Sequence, residues 1–178
     1  VFQNNAITKA RYGIYLRGAS GNPNDGNSIV SNLIGPSAFG SDQIGKAGII
    51  VQHQSGVAIE GNEVRFVGVP AGQSAPGDDR IGVGLGAYGW IPFFSETSTI
   101  TNSTVTRNSI HDIVDGRTYS AVGVLVAGTG SNPSSNTIAN NVISNVLSNG
   151  TFGDQAVGIG IVAGDGDKVV FNSIRMEG

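Results

Sequence analysis

The chain has 178 residues, of which 28 are glycine, 13% are charged and none is cysteine, and its formal net charge is −3. The absence of cysteine excludes a disulfide scaffold, and a small negative charge without a basic run argues against a nucleic-acid or anionic-membrane surface. No apolar run approaches the roughly 20 residues that span a bilayer, so we expect no membrane insertion.

Two short motifs alternate along the chain and predict a repeat. The first, aliphatic-x-x-Asn-x-aliphatic, has its asparagine at Asn5, Asn32, Asn62, Asn108, Asn141 and Asn172. The second, Gly-aliphatic-x-aliphatic, begins at Gly13, Gly48, Gly82, Gly123 and Gly158. The apolar period is two and is broken by Gly, Asn, Pro and Ser. This pattern predicts short strands and turns rather than helices.

Each repeat is predicted to hold short strands and turns joined by loops of variable length, with the asparagine in a turn. Asparagine tolerates a left-handed backbone, so we expect it to adopt that conformation in the turn. Stacked asparagines can also hydrogen-bond to one another, which predicts a ladder of side-chain amides.

These repeats resemble the right-handed parallel β-helix of the pectate-lyase-like superfamily over nearly the whole chain. The resemblance implies an all-β fold, a right-handed single-stranded parallel β-helix of about five to six coils, with residues 1–178 as one domain. In that superfamily each coil holds three strands, which implies strands at 48–51, 57–59 and 63–66 in the second repeat, with Asn62 in the tight turn between the last two. Phe2 starts inside a repeat and residues 175–178 stop just after one, with no capping helix in view. We therefore expect a fragment of a longer solenoid, without caps of its own, whose ends are covered by flanking coils or partner chains.

In that superfamily, polysaccharides bind along the outer face of the first strand and its flanking loops. Strict alternation predicts that the motif glycines, such as Gly82, point outward together with Ile50 and Leu125. The result would be a flat face without carboxylates. It cannot supply the oxygen ligands of a calcium site or the two carboxyls of a glycosidase, so any chemistry is expected in the loops.

A column of charged residues precedes the first strands and gives the candidate catalytic residues. The GDDR stretch (77–80) resembles the paired aspartates of polygalacturonase-like hydrolases, although that family's glycine-histidine-glycine and arginine-x-lysine motifs have no match. The resemblance implies acid/base or calcium roles for Asp78 and Asp79 and charge stabilisation by Arg80. The alternative is that Asp-rich loops only form turns and solvate the surface. The column comprises Asp42, Lys46, Asp78, Asp79, Arg80, Asp115, Arg117 and Asp154.

Aromatic residues gather in the longest connection, in the sequence GAYGWIPFF (86–94). Tyr88 and Trp90 are candidate substrate-binding residues because exposed rings stack on sugars. The alternative is that the insertion folds over and buries its aromatics, Phe93 and Phe94 included, as a satellite core.

Four further polar residues complete the prediction. His53, one repeat before the aromatic segment, and Arg17, one repeat earlier still, are expected to hydrogen-bond sugar hydroxyls. His111 and Asp112 are neighbours on a strand, so they should point to opposite faces, and we interpret them as structural or surface residues.

The resemblance to the pectate-lyase-like superfamily implies an extracellular or cell-surface protein that binds or processes polysaccharide. An enzyme of this type would be a polysaccharide lyase or a glycoside hydrolase. No cofactor or resident metal is expected, although the Asp-rich loops leave calcium open. The alternative is a structural or adhesive stalk, such as part of a surface passenger domain or a phage tailspike, whose flat outer face packs against another chain.

Overall fold

The computed structural model describes residues 1–73, 77–90, 98–127, 134–150 and 154–176. Within these ranges the chain forms twenty short strands and no helix. The strands are β1 (Phe2–Gln3), β2 (Ala6–Ile7), β3 (Tyr12–Arg17), β4 (Asn24–Asp25), β5 (Ser28–Val30), β6 (Leu33–Ile34), β7 (Ala47–Gln52), β8 (Gln54–Ser55), β9 (Ala58–Glu60), β10 (Glu63–Val69), β11 (Arg80–Leu85), β12 (Ile100–Thr101), β13 (Thr104–Thr106), β14 (Ser109–Asp115), β15 (Ala121–Ala127), β16 (Thr137–Ala139), β17 (Val142–Ser148), β18 (Ala156–Ala163), β19 (Lys168–Val170) and β20 (Ser173–Arg175).

These strands form four sheets, and neighbouring strands pair in parallel throughout. Sheet A has the order β1-β5-β9-β13-β16-β19, sheet B β2-β6-β10-β14-β17-β20, sheet C β3-β7-β11-β15-β18 and sheet D β4-β8-β12. The chain visits the sheets in rotation, so each repeat lays its strand beside the equivalent strand of the previous repeat. The prediction of an all-β chain with parallel strands is confirmed, and the strands expected in the second repeat correspond to β7, β9 and β10.

The asparagine ladder predicted from the repeat is present in full. The backbone and side-chain amides of each asparagine donate to the side-chain oxygen of the next, from Asn5 through Asn172. Each side-chain amide beyond Asn5 also donates to a sheet A carbonyl of the previous repeat, as Asn108 does to Ile59 at 2.9 Å. The four central asparagines are at most 2% exposed. Their burial is tolerated because their polar atoms are hydrogen-bonded.

The left-handed residue of each turn is not the asparagine, contrary to the sequence prediction. It is the residue immediately before it, with φ between 55° and 62° at Asn4, Ser31, Gly61, Arg107, Asn140 and Phe171. The ladder needs the asparagine's own N–H and side chain directed along the stack, so the reversal of the chain falls one residue earlier. Residues as different as Phe and Arg occupy this position, which is why sequence preference did not reveal it.

The core lies between sheets A, B and C and consists of aliphatic columns. Ile29 and Ile59 come from sheet A, Ile34 from sheet B, and Ile49 and Val83 from sheet C, and all five are fully buried. Because the middle repeats contribute Ile or Val at equivalent positions, each of their layers packs on a similar layer.

The motif glycines face this core, which corrects the prediction that they point outward. A Cβ at Gly82 would lie 2.5 Å from Ile110 Cγ2 in sheet B and 2.5 Å from the carbonyl oxygen of Gly123. Val83 also faces the core, while Ile81 packs on the opposite side of sheet C. Two successive residues therefore face inward, and strict alternation fails at the glycine. The same holds along the column, where the close neighbours of Gly13, Gly48, Gly123 and Gly158 are Ile34, Val64, Ile143 and Ile174.

We predict that Gly82→Ala lowers the free energy of unfolding by about 1–3 kcal/mol, as overpacking of a filled core does. Guanidinium unfolding of the variant and the wild type measures the difference. Gly40→Ala is the matched control, because a Cβ there meets nothing within 4 Å and should change stability by less than about 0.5 kcal/mol. Equal effects at the two positions would contradict the inward orientation.

A second left-handed column bends the strands of sheet B. Phe66, Asp112 and Asn145 have φ of 50°, 56° and 50°. Because Asp112 interrupts the alternation, His111 and Asp112 lie on the same face, with His111 Nδ1 2.6 Å from an Asp112 carboxylate oxygen. The prediction that they point to opposite faces was therefore wrong. Asn145 also donates to Asp112, so the pair joins adjacent strands.

Candidate functional site: a charged cleft beside sheet C

The outer face of sheet C is covered by the chain itself rather than open. Ile50 and Leu125 are fully buried in a second apolar cluster on this face. Tyr88 and Trp90, which are partly exposed, pack against that cluster. The indole lies so close over Gly160 that a Cβ there would be 2.4 Å from Trp90 Cζ3. Within the described residues, the central strands of sheet C therefore do not present the flat, open face predicted from sequence. The described part of the aromatic segment behaves as a satellite core with partly exposed rings.

Phe93 and Phe94, predicted as part of this aromatic segment, lie outside the described residues. Trp90 is the last described residue before that gap.

Asp78 links three loops at the amino-terminal end of sheet C. Its carboxylate accepts from Arg11 at 2.5 Å and from Lys46 at 2.8 Å. Lys46 is only 6% exposed, and its ammonium lies 5.0 Å from the centre of the Tyr88 ring. Arg11, Lys46 and Asp78 precede β3, β7 and β11, so the ion pairs join three successive repeats.

Asp79 holds the aromatic segment in place. One of its oxygens accepts from the Trp90 backbone N–H at 2.6 Å, and the other accepts from Ser120 N–H at 3.1 Å. Burial raises the pKa of Asp79 above its ordinary value. The two hydrogen bonds and the nearby Lys46 lower this pKa, and the nearby carboxylate of Asp154 raises it further. The structure therefore brings Asp78, Asp79, Tyr88 and Trp90 together.

Arg80 lies beneath this surface in a buried ion pair with Asp115. The two side chains are 1% and 0% exposed, and Arg80 Nε is 3.0 Å from Asp115 Oδ2. Arg80 also donates to the Gly45 carbonyl at 3.0 Å, and Asp115 accepts from the Arg117 backbone N–H at 2.9 Å. Burial lowers the pKa of Arg80, while Asp115 and Asp78 act in the opposite direction. The guanidinium predicted to stabilise substrate charge is thus enclosed by protein.

An open cleft of about 360 Å³ lies beside these groups. Four of its lining residues carry positive charge and one, Asp78, carries a carboxylate. The residues that line it are Lys9, Ala10, Arg11, Ser41, Gln43, Gly45, Lys46, Val69, Asp78 and Arg80. Lys9 approaches Asp42 at 3.9 Å, so the rim also carries one nearby acid. The sequence column of charged residues contained Lys46 and Asp78, but Lys9 and Arg11 lay one repeat before its start and were missed.

Arg17 and His53 lie at the opposite end of the same strands. Arg17 pairs in register with Gln52, the residue before His53. Strand β7 separates Lys46 from His53, and its six residues span about 20 Å. His53 is 9% exposed and its backbone N–H donates to Ser98 Oγ at 3.2 Å. The structure does not bring these two predicted binding residues together with Asp78 and Asp79.

We predict that the stability difference between the wild type and Asp79→Asn depends on pH. Because the folded pKa of Asp79 is raised, its contribution to stability is fully present below the unfolded value of 3.8 and is lost as pH rises through the folded pKa. The wild-type advantage should therefore decrease as pH rises from 3.8. Denaturant unfolding of both proteins at a series of pH values tests this. A stability difference that stays constant or grows as pH rises would contradict burial as the main influence on the pKa of Asp79.

The described residues contain no group of three or more His, Asp or Glu side chains arranged to hold a metal ion. In the same ranges, no helix long and apolar enough to cross a membrane is found. In comparisons with protein-family models, with curated proteins and with solved structures, nothing matched the chain.

Proposed function

We propose that the chain is a right-handed parallel β-helix of the pectate-lyase-like type. The rotation of the chain through sheets C, D, A and B, with each strand placed beside its predecessor, supports this architecture. Crossover connections between parallel strands are right-handed in about 98% of cases, which supports the hand. The asparagine column is further support.

On this scaffold we infer a polysaccharide-binding protein of the cell exterior, and the cleft beside Lys9, Arg11 and Asp78 carries the inference. Ammonium and guanidinium groups donate to sugar hydroxyls, and Asp78 accepts from them. Arg11 is suited to this role because its side chain is 56% exposed and already oriented by Asp78. Tyr88, beside Lys46, places an aromatic ring next to the same groups.

Binding is better supported than cleavage. A glycosidase needs two carboxyl groups that flank the scissile bond, and Asp78 is the one carboxylate among the residues that line the cleft. Asp79 is held by two backbone N–H groups. A lyase or hydrolase activity would therefore need groups beyond these, and we place the function in recognition.

Calorimetric titration with neutral and uronic-acid oligosaccharides tests the inference, with the emission of Trp90, the single tryptophan, as a second readout. Arg11→Ala should weaken binding tenfold or more, because a hydrogen bond from a charged group contributes about 1.5–3 kcal/mol. Arg107→Ala is the matched control, since Arg107 is similarly exposed and pairs with Glu60 on sheet A. Absence of binding, or equal effects of both variants on affinity, would refute the proposal that polysaccharide binds in this cleft.

A structural stalk is the second candidate, and one observation favours it. Charged and polar side chains join the loops of successive repeats, through Arg11 and Lys46 to Asp78 and through Ser120 to Asp154 at 3.0 Å. Such contacts strengthen a rod along its axis. Failure of every oligosaccharide to bind, with a cooperative and fully folded chain, would favour this candidate.

A further inference from the structure

A cluster of polar side chains on the outer face of sheet B lies outside the cleft. Glu63 and Arg65 belong to β10, His111 and Asp112 to β14, and Asn145 to β17. These three strands are neighbours in the middle of sheet B, with β6 on one side and β20 on the other. The geometry of the cluster is therefore set by strands that have a paired strand on both sides.

Asp112 fixes the tautomer of the neutral His111 imidazole. His111 Nδ1 is 2.6 Å from Asp112 Oδ2, and an ionised carboxylate can only accept a hydrogen bond. The proton of the neutral ring is therefore on Nδ1. Asn145 donates to the other oxygen of Asp112 and holds this carboxylate in place. The second ring nitrogen, Nε2, is thus left with a lone pair.

That lone pair lies next to a second acceptor, the carboxylate of Glu63. Glu63 Oε1 is 3.4 Å from His111 Nε2, and two acceptors at this distance repel each other unless a positive group lies between them. Arg65 donates to Glu63 Oε1 at 2.6 Å and orients the carboxylate. Among the described residues, no hydrogen bond joins the Arg65 guanidinium to the imidazole. The group that satisfies both atoms is therefore either a proton on Nε2 or a metal ion.

We propose that Glu63 and His111 bind a divalent transition-metal ion of the zinc type. Two ligand atoms of a tetrahedral zinc ion, with bonds of about 2.0–2.2 Å, lie about 3.3–3.5 Å apart. The observed separation of Nε2 and Oε1 is 3.4 Å, whereas a hydrogen bond from a protonated nitrogen is shorter, at about 2.7–3.2 Å. The contact between Nδ1 and Asp112 is the carboxylate–histidine arrangement that orients metal-bound imidazoles.

The ion keeps open coordination positions. The described part of the chain brings no group of three His, Asp or Glu side chains together as ligands, so water completes the coordination. The Glu63 and His111 side chains are 40% and 25% exposed, which gives water access. Open positions of this kind are typical of catalytic rather than structural zinc sites. This proposal does not rest on sugar binding.

Calorimetric titration of the chelator-treated protein with zinc chloride, at slightly alkaline pH where imidazole is largely neutral, tests the site. Glu63→Gln and His111→Asn should each weaken zinc binding at least tenfold, and Asp112→Asn should weaken it about 10–100-fold. His53→Asn replaces the other of the two histidines and is the control, which should bind zinc like the wild type. Denaturant unfolding verifies that each variant is folded. A wild type that binds no zinc, or an equal loss of affinity in His53→Asn, overturns the proposal.

Nitrogen NMR of the imidazole rings separates a metal ion from a proton. Zinc should shift the Nε2 resonance of His111 and leave both ring nitrogens of His53 unchanged, because only His111 has the neighbouring Glu63 carboxylate at 3.4 Å. The Nδ1 proton of His111 should remain in place on the Asp112 side when zinc binds. Zinc that leaves the Nε2 resonance unchanged overturns the proposal and would assign the His111–Glu63 contact to a protonated imidazole.

Discussion

Replacing Asn108 by alanine should lower the free energy of unfolding by about 3 kcal/mol or more. The Asn108 side chain accepts from both the backbone N–H and the side-chain amide of Asn62, and it donates to Ile59 and Asn141. Removing it leaves at least two buried donors without an acceptor, at about 1–3 kcal/mol each. It also opens a cavity at a position that is 2% exposed. Denaturant unfolding measures the loss.

Asn149→Ala provides the control for this variant. Asn149 is exposed and its side chain makes one hydrogen bond, to the Gly116 carbonyl at 3.2 Å. Its loss should cost less than about 0.5 kcal/mol. If Asn108→Ala were no more destabilising than Asn149→Ala, the asparagine ladder would not contribute measurably to the stability of the fold.

Asp115→Asn should destabilise the fold by about 3–5 kcal/mol, because it leaves the buried Arg80 guanidinium without its opposite charge. The change is nearly isosteric and keeps an oxygen for the Arg117 N–H, so charge is the quantity removed. Thermal and denaturant unfolding of the variant give the free energy.

A double-mutant cycle separates the ion pair from general damage. Arg80→Met alone should also be costly, since it leaves a buried carboxylate, but Arg80→Met/Asp115→Asn should cost less than the two single changes together. Strict additivity would mean that the pair contributes nothing beyond the packing of each side chain. Asp42→Asn, at an exposed carboxylate 3.9 Å from Lys9, should be close to neutral.

The repeat itself could be predicted from sequence because it depends on periodicity. Alternating aliphatic residues fix which strands form, and an asparagine at a constant position in each repeat can meet its neighbours only as a column. The ladder follows from these two facts, whereas the parallel pairing was implied by the resemblance of the repeats to a parallel β-helix.

Strict alternation of inward- and outward-facing side chains could not predict the positions where the backbone departs from that pattern. At Gly82 two successive residues face the core, and at Asp112 a left-handed residue bends the strand. Both depend on close contacts with a neighbouring sheet or strand, which lie far away in sequence. The same applies to Arg80, since a charged residue in a loop column gives no sign that Asp115 will be buried against it.

The cleft was predicted in part. The sequence named Asp78, Asp79 and Trp90 as separate candidate residues, and the structure brings Asp79 into contact with Trp90. The sequence could not reveal the role of Arg11, because a residue 67 positions away reaches Asp78 only after the repeats have stacked.

The stacking of repeats is the central claim, and one distance tests it most directly. Gln3→Cys/Val170→Cys carries spin labels on the first and last strands of sheet A, which has six strands and therefore five steps between its ends. At about 4.8 Å per step, pulsed electron–electron double resonance should give a narrow distribution near 24 Å between the backbones, once the label linkers are allowed for. Dilution with unlabelled protein removes distances between copies. A broad distribution, or a peak displaced by about 10 Å or more, two strand spacings, would contradict the stack.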